Sequence, residues 1–517
     1  MIDGQLALNG NPDLKDFERS IESYRRDRRL GIVILLILII GTFYLLTIRS
    51  GQPWGDDFAL YIQEAADIAH HSSYMKSNYL FNPQNPGVGP KAYPPVYPLL
   101  LSPIYAVFDL NLTAMKVENV VLFIAFLAIF YFFIRDELPF PYVVAAIAIV
   151  GVNPNFWYIK DGIQSEVPFT LFLFTAFFAI KRAYEKELER GWISRAVLLA
   201  VLIYLCYGTR TTGILLIPAL LGYEVVRFRR ITRLGVTITG IFVVLWLVQN
   251  AFGSSDASYV STLPKIWTNP KIILQNTVEY TRALSLFWAS ETDKPIRYIV
   301  FLLLSSLAAI GYLRKLRRPA VWDLYLPLHL SLILVLPYPA GLRYLLPIAP
   351  LYVLYALTGF REFTWKGFAV RQAVVFPIVI LLVALSYTVL YRRMDFGAFP
   401  DGIAKKETVA FFQYVRNNTE PTAVFIFRKP KALGLFGQRL TSVYPAEGTD
   451  GQLWQYIESI HATYLVKSPI DEPLWHTFLN RNRGRLIETY SNADFKVYKV
   501  PKDNIQGQPN LLQTALH

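Results

Sequence analysis

Asp56 and Asp57 are adjacent carboxylates in the run Trp54-Gly55-Asp56-Asp57-Phe58-Ala59-Leu60-Tyr61, just beyond the first long apolar segment. A carboxylate there can take the proton from a hydroxyl as its oxygen attacks. If 56–71 is a helix, Asp57, Tyr61, Glu64 and His71 share one face. Phe58, Ile62, Ala65, Ala66 and Ala69 then form an apolar face on which the helix lies against the membrane. The competing explanation for the aspartates is structural: acidic side chains favour the first turn of a helix. Asp161 and Glu166 come next, and Ser165-Glu166 with Pro168 also reads as a helix start. Arg210, in Gly208-Thr209-Arg210-Thr211-Thr212-Gly213, and Arg343, after Gly341-Leu342, end apolar segments beside small residues. Arginine binds phosphate in a fork geometry and keeps its charge. The alternative is snorkelling to headgroups. Lys91, before Tyr93-Pro94-Pro95, is a third candidate phosphate partner. Trp54, Tyr61, Tyr93 and Tyr97 can bind a flat substrate or anchor a membrane interface. His70-His71 near the aspartates does not have metal-ligand spacing, and no Cys/His zinc spacing exists.

The elements that must position these residues are membrane spans. Hydrophobic residues make up 53% of the 517 and charged residues only 17%, against about 25% in soluble domains. The net charge of +13 is carried by short loops between apolar segments, which excludes a nucleic-acid partner. Cys206, the one cysteine, lies in an apolar stretch and reads as packing. The first apolar run starts near Leu30 without a small-residue cleavage site, so no cleavable signal is expected.

Uncharged runs predict about eleven spans, near 30–48, 119–134, 138–157, 167–180, 196–209, 211–226, 234–252, 298–313, 324–342, 344–360 and 372–391. Basic clusters follow the fourth, sixth, eighth and tenth of these and precede the first. All fall on one side if the N-terminal tail, 1–29, is cytoplasmic. The loop 49–118, the segments 158–166 and 253–297, and everything after 391 then lie outside. Residues 92–108 carry four prolines and read as a helix in the outer interface or re-entering the membrane. From 392 to 517 the pattern changes to short apolar runs at 423–427, 463–466 and 495–500, separated by helical stretches near 403–417, 450–461 and 471–481. The expected architecture is a polytopic α-helical membrane domain, 30–391, followed by a small extracytoplasmic α/β domain.

This pattern resembles the GT-C membrane glycosyltransferases, and within them the branch of the protein O-mannosyltransferases and lipid A aminoarabinose transferases. The resemblance rests on Asp57-x-x-x-Tyr61 after the first span, Tyr93-Pro94-Pro95 later in the same loop, Ser165-Glu166-x-Pro168 opening a later span, and Arg343-Tyr344-Leu345-x-Pro347. It implies transfer of a sugar from a polyprenyl-phosphate carrier to a protein, lipid or glycan acceptor on the non-cytoplasmic face, usually with inversion. It implies Asp57 as general base with Asp56 as neighbour and Glu166 at a position often acidic in the family. Lys91, Arg210 and Arg343 would hold the donor phosphate, and Tyr61, Tyr93, Trp54 and Glu64 would line the substrate. No nucleotide sugar, cofactor or divalent metal is implied, and a prokaryotic plasma membrane is the expected location. The chain departs from the family at Tyr93, where a His or Lys often precedes Pro-Pro. A transporter or flippase of lipid-linked sugars is the principal alternative. It calls for inverted repeats and charged, broken midplane helices, whereas the acidic residues here fall at the outer rim and no repeat is visible.

Overall fold

The computed structural model describes residues 12–74, 76–185, 191–253, 271–292, 294–337, 339–362 and 369–501. Lys186, Arg190 and Lys366 of the basic clusters, and 254–270 of the outer segment, lie outside the described residues. Nine helices among the described residues are long and apolar enough to cross a membrane. Nine of the eleven expected spans correspond to these helices. The other two are shorter, Phe140–Gly151 and Val321–Val335. The first of these stops at Val152 and resumes as Pro154–Ile159, because Asn153-Pro154 interrupts the ladder. Val96–Phe108 is a thirteen-residue helix, too short to cross, with Leu99, Val107 and Phe108 exposed.

The bundle is held by close helix contact as well as by large apolar side chains. Helices Lys294–Lys315 and Ala349–Glu362 cross where a Cβ on Gly311 would lie 2.1 Å from the Tyr355 carbonyl and one on Gly359 would lie 1.8 Å from that of Leu307. Only glycine permits that approach, as in small-residue contacts between membrane helices. At one rim of the bundle Glu137 pairs with Lys181 at 2.6 Å and with Lys315 at 2.5 Å. Glu166, on the same helix as Lys181, is about 22 Å away at the other end.

The C-terminal region forms a five-stranded sheet, β1 (Val424–Ile426), β2 (Leu440–Ser442), β3 (Tyr464–Lys467), β4 (Ile487–Ser491) and β5 (Lys496–Lys499), in the order β2-β1-β3-β5-β4. β2, β1 and β3 run parallel, and β5 is antiparallel to β3 and β4. The strands β2 and β4 and the helix Pro430–Gly437 have no counterpart in the sequence pattern, being short and irregularly apolar.

This sheet is not a separate body. Phe58, Ile62 and Ala65 share one buried cluster with Phe411, Phe425, Leu433 and Phe495. The apolar face of the Asp57–Ala69 helix is therefore covered by the C-terminal domain and by the Val96–Phe108 helix, not by lipid. A protein surface that also satisfies Gln63 and the neighbouring loop is the better partner for that face. Gln63 donates to the Lys431 carbonyl at 3.0 Å, and Asn78, Asn82 and Asn85 donate to the Gly434, Val443 and Tyr444 carbonyls at 2.8–3.0 Å. Tyr79 bridges in parallel to Thr441, which places the 78–80 loop alongside β2.

Candidate active site

The two adjacent aspartates point to different partners. Asp57 opens the Asp57–Ala69 helix, and its Oδ1 accepts from the Tyr93 hydroxyl at 2.6 Å while its Oδ2 accepts from Arg343 Nη2 at 3.1 Å. Asp56 Oδ1 accepts from the backbone N–H of Ala432 at 3.1 Å, in the first turn of Pro430–Gly437. It therefore sits at the positive end of a helix belonging to the C-terminal domain.

Glu166 begins the Glu166–Glu185 helix and is buried. Its Oε1 accepts from Arg343 Nε at 2.8 Å and forms an ion pair with Arg210 Nη1 at 2.8 Å. Arg343 is placed by a turn that needs glycine, since Gly341 has φ +54° just before Leu342–Leu345. His329, buried in the Val321–Val335 helix, steadies that turn by donating from Nε2 to the Tyr344 carbonyl at 3.0 Å. Arg210 follows the helix Trp192–Thr209 where the chain folds back sharply, and a Cβ on Gly213 would lie 2.4 Å from the Cys206 carbonyl carbon. Arg210 also donates to Ser165 Oγ at 3.0 Å, and Tyr61 donates to the same oxygen at 3.0 Å. Tyr61 stacks on Tyr93 with ring centroids 4.5 Å apart. Glu64 is buried and accepts from the Tyr93 backbone N–H at 2.7 Å.

The structure thus brings Asp57, Glu166, Arg210, Arg343, Tyr61, Tyr93 and Glu64 into one cluster, with Asp56 behind it. Lys91 is exposed and enters none of these ion pairs. Trp54 packs on Phe412, Phe427 and Phe495 at centroid distances of 5.9–6.2 Å, inside the contact with the C-terminal domain. Asp161 pairs with Lys160 at 2.6 Å and accepts from the Arg49 N–H, which ties the end of the first span to the segment between Ile159 and Glu166. His71, expected on the Asp57 face, lies beyond the helix end with φ +54° and is exposed.

One member of the cluster has no counterpart in the sequence reading. Lys431 is fully buried, with Nζ donating to the Val88 carbonyl at 2.8 Å and to the Tyr93 hydroxyl at 2.9 Å, and lying 3.9 Å from Asp57 Oδ1. Its signal is visible only with the fold in hand: a lysine just past a parallel strand, where open α/β sheets present binding groups.

Electrostatics divide the carboxyls. Burial works to raise the pKa of Asp57, but Arg343, Lys431 and the Tyr93 hydroxyl outweigh it and hold this carboxyl well below the ordinary range. Burial raises Asp56 and Glu64, with Lys431 opposing in each case. Burial also lowers Lys431 itself, against the pull of Asp57, Asp56 and Glu64. Asp57 is therefore an ionised group, held against the cations Arg343 and Lys431, with Arg210 paired to Glu166 beside it.

Comparison with known proteins places this geometry in a fold. The family model for dolichyl-phosphate-mannose-protein mannosyltransferase matches residues 92–251. The structure of ArnT from Cupriavidus metallidurans bound to undecaprenyl phosphate superposes with a TM-score of 0.54 at 11% identity, covering 93% of this chain and 99% of that one. The archaeal oligosaccharyltransferase AglB from Archaeoglobus fulgidus, in complex with an inhibitory peptide and a dolichol-phosphate, gives 0.55 at 12% identity, covering 84% and 69%. The mycobacterial arabinofuranosyltransferase AftD gives 0.51 at 13%, covering 90% of this chain and 41% of that one. No curated protein sequence matches. The chain has the fold of the GT-C superfamily, as an integral multi-pass membrane protein, and resembles the branch that holds ArnT and the protein mannosyltransferases.

Proposed function

We propose that this protein is a membrane glycosyltransferase that moves a sugar from a polyprenyl-phosphate carrier to a hydroxyl of a lipid, glycan or protein acceptor. The observation that carries the reading is the placement of Asp57 directly against Arg343 at one rim of the bundle. Asp57 and Arg343 are the accessible members of the cluster, their side chains being 26% and 36% exposed, while Glu166 is 2% exposed.

The chemistry follows from those positions. The acceptor hydroxyl attacks the anomeric carbon from the face opposite the phosphate, and the bond from that carbon to the phosphate oxygen breaks. The sugar is transferred with inversion and the carrier leaves as polyprenyl phosphate. Arg343 and Arg210 stabilise the charge that grows on the leaving phosphate, a contribution worth about 10²–10³-fold for one donor group. Glu166 holds both guanidinium groups in place and keeps them from repelling one another. Asp57 takes the acceptor proton, and it gains basicity as Arg343 turns from it to the phosphate. The stacked Tyr61 and Tyr93 wall the side of the site on which the sugar ring would sit. Arg343 and Arg210 supply the positive charge at the donor phosphate, so we expect the reaction to need no divalent metal. We place the site on the non-cytoplasmic face of a prokaryotic plasma membrane, with the N-terminus cytoplasmic, on the strength of the basic clusters at the opposite span ends.

The test is transfer of labelled sugar from polyprenyl-phosphate donors to a membrane acceptor fraction, with the full chain in nanodiscs. Transfer by the wild type that vanishes in Asp57→Asn supports the reading. Transfer undiminished in Asp57→Asn moves the base to Asp56 or Glu166. A folded wild type inactive with every donor overturns the transferase in favour of a carrier of lipid-linked sugars.

A further inference from the structure

The C-terminal domain reaches the site through one side chain. β1 lies between β2 and β3, and the connection leaving it runs through Pro430–Gly437 to β2, whereas β3 lies on the other side. The carboxyl end of such an inner strand, where successive connections leave to opposite sides, is where open α/β sheets hold ligands. In this protein that position is occupied by the membrane half: Asp56 meets the N-terminus of the Pro430–Gly437 helix, and Lys431 projects to Tyr93 and Asp57. The Lys431 ammonium donates to the Tyr93 oxygen, whose own proton goes to Asp57 Oδ1. Lys431 also lies over the Tyr93 ring, 4.6 Å from its centroid. It is completely buried, so it does not meet the donor itself.

We propose that Lys431 is a positioning residue of the transferase site: acting through Tyr93, it fixes Oδ1 of Asp57 and stays as that carboxylate's counter-charge when Arg343 turns to the donor phosphate. The proposal rests on the transferase reading above. Its basis is the division of labour around Asp57. Arg343, on Oδ2, is partly exposed and shared with Glu166, so an incoming anion competes for it. Lys431, on the Oδ1 side, is enclosed and bonded to a backbone carbonyl, so no anion can draw it away. The other charged and titratable groups facing Asp57 cannot take this role. Asp56, Glu64 and Tyr61 on its own helix, Glu166, and Tyr344 beside Arg343 carry no positive charge. Arg210 is engaged by Glu166, and Lys429 faces Asp56. A site closed in this way is complete only when the C-terminal domain is docked.

The experiment is an infrared pH titration of the full chain in nanodiscs, with and without undecaprenyl phosphate. The protonated carboxyl band of Asp57 is identified by subtracting the matching Asp57→Asn spectrum. With the lipid phosphate bound, Lys431→Met moves the midpoint of that band upward by about one pH unit or more, the effect of removing an opposite charge at this range. Lys431→Arg restores it. A midpoint in Lys431→Met equal to that of the wild type overturns the proposal and leaves Lys431 as a docking residue. If Lys431→Met does not fold, Tyr93→Phe breaks the same link while keeping the ring and the Lys431–Val88 bond, and an unmoved midpoint there overturns the proposal equally. The titration needs no turnover, so a protein that transfers no sugar still answers this question, while the label-transfer assay answers the other.

Discussion

Arg343 and Asp57 meet at 3.1 Å although 286 residues separate them in the chain. Arg343 → Gln removes the cation from Asp57 and from Glu166 at once. Sugar transfer falls by about 10²–10³-fold, and the loss is in kcat as well as in donor affinity. A loss confined to donor affinity would place Arg343 in ground-state binding alone.

The two aspartates separate cleanly by measurement. Asp57→Asn lowers transfer by about 10²–10⁴-fold and also lowers the melting temperature, since it removes a carboxylate stabilised by Arg343 and Lys431. Asp56→Ala leaves the buried Ala432 N–H unpaired and costs about 1–3 kcal/mol of stability, read as earlier proteolysis of the C-terminal domain. Equal kinetic defects in both variants would contradict this assignment.

Glu166→Gln leaves two guanidinium groups facing each other across a neutral amide. Removing one partner of a buried ion network typically costs about 3–5 kcal/mol, so the purified variant melts earlier than wild type. Added inorganic phosphate narrows the gap by replacing the lost negative charge. A phosphate effect of equal size in wild type and variant would argue against a phosphate-sized anion site there.

Chelators leave transfer intact. Because Arg343 and Arg210 supply the cationic charge at the phosphate, EDTA at a concentration that strips bound divalent ions leaves the initial rate unchanged. A rate abolished by EDTA and restored by magnesium or manganese would require an acidic metal site in place of this one.

The C-terminal domain carries its own pH response. Burial pushes Asp471 up to about 7, with its Oδ2 accepting from the Ser468 N–H at 2.6 Å. The folded state therefore holds a proton that the unfolded chain releases near pH 4, and stability falls as pH rises through this window to about 7. Asp471→Asn keeps an acceptor for Ser468 and removes that slope. The variant melts higher than wild type at pH 8 and by a smaller margin at pH 5. A margin independent of pH would show that Asp471 does not titrate there.

Much of this was legible in the sequence because membranes impose strong rules. Apolar length marked the long spans, and charge-free stretches with Arg210 and Arg343 at their ends marked one rim of the bundle. Glu166 was visible as an acidic residue where a span begins. The two short helices were counted among the spans because the length of an uncharged run does not register where a helix stops, as at Asn153-Pro154 after the first of them. Lys431 was hidden for a different reason. Its neighbours in space, Val88, Tyr93 and Asp57, lie more than 300 residues away in sequence, and nothing local distinguishes it from Lys429. The apolar face of the Asp57–Ala69 helix misled in the same way, since amphipathicity states that a face is covered but not by what.

The Tyr79–Thr441 bridge carries a last consequence. β2 is the outermost strand on its side of the sheet, and the loop from the membrane half satisfies it: the Leu80 N–H donates to the Thr441 carbonyl at 2.8 Å, and the Thr441 N–H to the Asn78 carbonyl at 2.9 Å. Cut away after residue 391, the domain would expose a bare strand edge, the feature through which β-proteins pair with foreign chains and aggregate. The outer edge of the sheet is thus closed by a loop that the membrane half supplies, and a stretch of chain acting as a surrogate strand is what the isolated domain would need.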